Sequence, residues 1–68
     1  MERTGQIWSS TRHDVFVVLG RKTMTTKHST DVWWYVLYLD GDHSGTDDVI
    51  FESSDRPWEK RGGLRRVT

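Results

Sequence analysis

The chain has 68 residues, no cysteine, and ten basic side chains balanced by ten acidic ones. A domain this short hides only about 60% of the surface of its unfolded chain and needs either a staple or unusually heavy core residues. Without cysteine, disulfides and thiolate zinc sites are excluded, and a net charge of zero argues against a dedicated nucleic-acid binder, whose footprint is a strongly basic domain. Four Trp, two Tyr and two Phe are the expected substitute for a staple, since each buried aromatic removes about 150–250 Å² from water. The opening "MERTGQIW" has no apolar h-region, so no signal peptide is expected. The longest apolar run, Val32 to Leu39, is eight residues, far short of the roughly 20 that span a bilayer. The expectation is a single domain over residues 1–68, cytoplasmic and off the membrane.

In chain order, "GQIWSS" reads as a first strand with Ile7 and Trp8 on opposite faces. "DVFVVLG" (14–20), β-branched and aromatic between Asp and Gly, reads as a second. "RKTMTTKHST" (21–30) is polar and basic, and is expected to be a mobile loop or a hairpin extension. "DVWWYVLYLD" (31–40) is the third and longest strand, and "GDHSGT" supplies Gly and Asp for a tight reversal. "DVIFE" (48–52) then returns antiparallel as the fourth. In "SSDRPWEKRGG", Asp55 is expected to cap one helical turn with Pro57 inside it, and "LRRV" (64–67) closes as a fifth strand. No window shows the 3.6-residue period of an amphipathic helix. The fold class is therefore all-β. Five short strands with one helical turn before the last is the order of an SH3-like small barrel, whose closure removes edges open to aggregation; an OB-like barrel and an open meander that dimerises are the runner-up architectures.

Alternation along the third strand puts Trp33, Tyr35, Leu37 and Leu39 on one face and Val32, Trp34, Val36 and Tyr38 on the other. Both faces are apolar. The mid-strand residues Val17, Leu19, Leu37 and Ile50 are expected to form the core. The second face is then either covered by Trp58 and the segment before the last strand, or left as a binding patch or dimer contact. The patch reading nominates Trp8, Trp34, Tyr38 and Trp58 as protein-binding anchors, because Trp and Tyr concentrate at the energetic centres of interfaces.

Charge is uneven along the chain. Asp40, Asp42, Asp47, Asp48, Glu52 and Asp55 form an acidic stretch without Lys or Arg, followed by Arg56, Lys60, Arg61, Arg65 and Arg66 against one Glu59. "DGDHSGTDDVIFE" partly matches a calcium loop, but its twelfth position is Phe51, with Glu52 one residue late, and strands rather than helices flank it. A tight turn accounts for the glycines, so neither a metal nor a cofactor is expected. His13, His28 and His43 lack ligand spacing, and the neighbours Arg12, His13 and Asp14 point apart if they lie in a strand. No nucleophile is nominated, because the chain lacks cysteine, a G-x-S-x-G elbow and a phosphate loop.

"GQIW", then Arg12, then "VFVVL" resembles the opening of the PemK/MazF-type toxins, SH3-like barrels that begin G-[DE]-[IL]-W and continue R-P-x-V-V-L. The resemblance covers Gly5 to Leu19. It implies a barrel, and an RNase whose Arg before the second strand would be Arg12. The proline after that Arg is absent and the Thr/Ser motif beyond the third strand has no match, which leaves at most a degenerate RNase. In general style the chain is also similar to small SH3-like barrel proteins of actinobacteria and their phages.

These readings lead to a non-catalytic protein-binding or regulatory module, phage-encoded if the stylistic likeness holds, with a protein partner and a homodimer as a further possibility. The alternative is a nucleic-acid-binding barrel using Lys60, Arg61, Arg65 and Arg66, joined by Arg21, Lys22 and Lys27, for phosphates. A structural or oligomer-forming phage component is a third reading. Because Arg65 and Arg66 alternate in a strand, only one of them can serve a given surface.

Overall fold

The structure is a computed structural model, and it describes residues 2–11, 14–25, 30–53 and 55–68. The elements are β1 (Ile7–Ser10), β2 (Val15–Thr25), β3 (Thr30–Asp40), β4 (Asp47–Glu52), a single 3₁₀ turn (Trp58–Lys60) and β5 (Leu64–Arg66). All strand pairings are antiparallel and form one five-stranded sheet in the order β4-β3-β2-β1-β5. The all-β expectation therefore holds, and a helical turn does precede the last strand. The sheet is not closed: β4 and β5 are its two edges, with no ladder between them. The turn between them is tied back to β4 instead, as Trp58 Nε1 and Arg61 Nη1 both donate to the Phe51 carbonyl, at 3.2 and 3.3 Å.

Of the two readings of residues 21–30, Arg21–Thr25 follows the hairpin extension, continuing β2 and pairing with Thr30–Trp34 of β3. One local expectation changes. Pro57, not Asp55, stands at the N-cap of the 3₁₀ turn, which has no side-chain cap of its own. The Glu52 carboxylate reaches across from β4 and accepts the Trp58 N–H at 3.0 Å.

Two register shifts interrupt the β2–β3 ladder, between Val15 and Phe16 and between Val18 and Gly20. The first leaves Leu39 as the extra residue on β3 and the second leaves Leu19 as the extra residue on β2. Each is a bulge, which bends and twists the pair. Leu19 is 51% exposed and Leu39 45%, so the two leucines pushed out of register are also pushed out of the core.

The core is built from Trp8, Phe16, Val18, Trp34, Val36 and Trp58, with Val32, Tyr38, Ile50 and Leu64 packed against it. The expected core set is thereby corrected. Ile50 joins the core at its margin, whereas Val17 and Leu37 pair with each other on the opposite face, half-buried, and Leu19 is exposed. Replacing Phe16 with Ala is expected to cost about 3–5 kcal/mol, while Leu19→Ala stays within about 0.5 kcal/mol. Urea denaturation of the two variants measures the contrast, and equal costs would contradict this division of faces.

Candidate functional site

Trp8, Trp34 and Trp58, nominated as surface anchors, are all core residues, each at most 1% exposed. The 3₁₀ turn drops the Trp58 indole onto the concave side of the sheet. There it meets Trp8 edge-on at 5.4 Å, Phe16 edge-on at 5.8 Å and Trp34 at 6.2 Å. Of the two accounts of this face, cover by Trp58 is the one the burial supports. Tyr38 alone of the nominated anchors keeps partial exposure.

The residue that organises this cluster went unnominated. Arg3 is 1% exposed, and its guanidinium lies 5.2 Å from the Trp8 ring and 5.0 Å from the Trp58 ring. Nε and Nη2 donate to the two oxygens of Glu52 at 2.9 and 2.6 Å. Nη1 and Nη2 donate to the two oxygens of Glu59 at 3.0 and 2.6 Å, and Nη1 also donates to Gln6 Oε1 at 3.1 Å. Every donor of the guanidinium fork is thus engaged. Glu52 in turn accepts from Trp34 Nε1 at 2.7 Å and from the Trp58 backbone, while Gln6 Oε1 accepts from Trp8 Nε1 at 2.9 Å. Burial works against ionisation of Glu52, but the hydrogen bonds from Arg3, the Trp58 N–H and Trp34 outweigh it and hold its pKa below the ordinary value. Hydrogen bonding to Arg3 lowers Glu59 in the same direction, and the two carboxylates raise the pKa of Arg3.

The basic residues nominated for phosphate contact do not share a surface. Arg65 pairs with Ser9 and Arg66 with Trp8, which places them on opposite faces of β5. Arg21 and Lys22 likewise pair with Trp34 and Trp33 on opposite faces of β2. Lys60 and Arg61 are exposed on and just after the turn. Lys27, Arg12, His13 and His28 lie outside the described residues. Within the acidic stretch, Glu52 is not a surface charge at all, because its alternation with Ile50 turns it inward to Arg3. Among the described residues no cluster of acids and histidines could hold a metal ion, and no helix is long and apolar enough to cross a membrane.

Two surfaces remain open. The first is a groove of about 610 Å³ between the β4 edge and the β1–β5 side of the sheet. Phe16, Tyr38, Ile50 and Leu64 form its floor, Asp14, Asp47 and Asp48 its acidic wall, and Arg61 the opposite end, with His43 against Tyr38 at 5.7 Å. Gly41 keeps this wall in place: it has φ 96°, and a Cβ there would collide with Asp14. The Tyr38 hydroxyl donates to Asp48 Oδ2 at 3.3 Å, and its pKa is raised by burial first, then by the charge of Asp48, and more weakly by Asp14. Two carboxylates therefore act on one point of the groove. The ion pairs among the described residues are those of Arg3 with Glu52 and Glu59, so neither Asp14 nor Asp48 is neutralised by a described cation.

The second surface is the outer face of the sheet. Register places Trp33, Tyr35 and Leu37 of β3 there, between Lys22, Gly20 and Val17 of β2 and Phe51, Val49 and Asp47 of β4. Trp33 and Phe51 meet at 5.0 Å with their rings tilted by 53°, while Tyr35 and Val49 are exposed and share a shallow depression with Leu19. Strand addition along the neighbouring β4 edge is discouraged, because Asp48 Oδ1 ties up the Val49 N–H at 2.7 Å and the Phe51 carbonyl is already occupied.

Because the folded pKa values of Glu52 and Glu59 lie below the ordinary carboxylate value of 4.5, their contribution is complete above that pH and is lost as pH falls through the folded values. The melting temperature is expected to be flat from neutrality down to that point and to fall below it. Glu52→Gln is expected to cost about 3 kcal/mol, the low end for breaking a buried pair, because Glu59 still faces Arg3. It should also flatten the acid limb. Thermal melts of both proteins across pH measure this, and an unchanged acid limb in Glu52→Gln would remove the assignment.

Comparison with protein-family models, with curated proteins and with solved structures finds no match to this chain.

Proposed function

We propose that this chain is a non-catalytic recognition module of SH3-like architecture that binds a cationic segment of a protein partner in the groove between β4 and the β1–β5 side. The architectural part is supported by the strand order β4-β3-β2-β1-β5 and by the 3₁₀ turn between β4 and β5. Side-chain contacts from Trp58 and Arg61 to Phe51 hold the turn that leads to β5 against β4.

The observation that carries the binding reading is the pairing of an aromatic floor with acids that no described cation neutralises. Tyr38 and Phe16 meet edge-on at 6.0 Å beside Asp14 and Asp48. A Lys or Arg side chain gains there from the carboxylates and from the partly exposed Tyr38 ring, each strengthened by partial desolvation. Ile50 and Leu64 offer apolar surface for the stem of such a side chain. Phosphate is disfavoured at the same place, since the acids that attract a cation repel a nucleic-acid backbone within a Debye length of about 8–10 Å. With Arg65 and Arg66 on opposite faces, the basic segment does not build a compensating patch.

Calorimetric titration with short Lys- and Arg-rich peptides, matched Glu-rich peptides and single-stranded oligonucleotides tests this. Basic peptides are expected to bind, to weaken with added salt, and to lose about tenfold in affinity, roughly 1.4 kcal/mol, in Asp14→Asn/Asp48→Asn. Binding confined to oligonucleotides, or basic-peptide binding indifferent to that double substitution, would overturn the proposal.

A further inference from the structure

The outer face of the sheet is apolar, uncovered by any described segment and self-complementary in charge, and from this we infer that it is the contact between two copies of the chain. A soluble domain rarely leaves a contiguous apolar surface uncovered unless something docks there. Here Tyr35 is 42% exposed and Val49 37%, beside Leu19 and the Trp33–Phe51 pair. All the core aromatics lie on the other side of the sheet, so nothing within the described chain covers this one.

The choice of a second copy rests on where the charges sit. Lys22 pairs with Trp33 at one corner of the patch, and Asp47 pairs with Leu37 at the opposite corner, with Tyr35 between them. A two-fold axis lying in the interface and crossing that diagonal at Tyr35 sets each Lys22 opposite the other copy's Asp47. An isologous contact requires this property of a patch: what it presents must complement itself. The chain also carries no net charge, so no long-range repulsion opposes the approach of an identical copy.

Sedimentation equilibrium from about 1 μM to about 1 mM spans the affinities of weak and moderate dimers. The wild-type chain is expected to reach twice its monomer mass within that range. Tyr35→Glu should remain monomeric throughout. Lys22→Glu and Asp47→Lys each set like charges against one another, and should raise the dimer dissociation constant at least about tenfold. An equimolar mixture of these two single variants restores both pairings and should recover the dimer, which a loss of folding would not do; circular dichroism of each variant checks the fold directly. A chain that stays monomeric at every concentration overturns the inference. So does a dimer that survives Tyr35→Glu, or a mixture that associates no better than its components.

Discussion

The structure depends on one buried cation. Arg3 packs against the rings of both Trp8 and Trp58 and commits its whole donor fork to Glu52, Glu59 and Gln6. Taking a guanidinium out of water is expensive, and it is sustained only where the geometry is good and every remaining polar group is satisfied. Both conditions are met, and no buried side-chain nitrogen or oxygen among the described residues lacks a partner. The network ties the opening segment to the end of β4, 49 residues on, and to the 3₁₀ turn, 56 residues on. For a 68-residue chain without disulfides, this cross-link, together with four core aromatic rings, does what a covalent staple does elsewhere.

The same network explains why the sheet can stay open without exposing its interior. Glu52 holds the Trp58 backbone, so the turn that follows β4 is anchored to the strand it leaves, and the indole is delivered to the concave side. Trp58 then fills the space at the gap between the two sheet edges. The groove occurs where this filling stops: beyond Ile50 and Leu64, Tyr38, Asp14 and Asp48 are among the described residues that line it. Core and candidate site are consecutive stretches of one inner face, separated by how far a single indole reaches.

The two faces of β3 therefore have distinct duties. The inner one passes from Trp34 and Val36 in the core to Tyr38 in the groove. The outer one carries Trp33, Tyr35 and Leu37 across a surface that the fold itself does not cover. A strand apolar on both sides within a single-layer sheet has spare hydrophobic surface, and the exposure of Tyr35 and Val49 is where that surplus appears.

The sequence by itself determined the all-β class, the order of the five strands, the turn before the last one and the reliance on aromatic mass. These are local properties: β-branched runs, period-two alternation, Gly–Asp reversals and the absence of any helical period. It did not determine which face of those strands points inward, because "VFVVL" and "VWWYVLYL" are apolar on both sides and alternation cannot rank two apolar faces. The bulges at Leu19 and Leu39 compound this, since one extra residue swaps the face of everything beyond it. Arg3 was equally silent, an arginine in a polar opening with no neighbour in sequence to mark it; only the inward parity of Glu52 after Ile50 hinted at a buried partner. Tertiary structure decided these points, because only there do Trp58, Glu52 and Arg3 meet, and their meeting chooses the inner face.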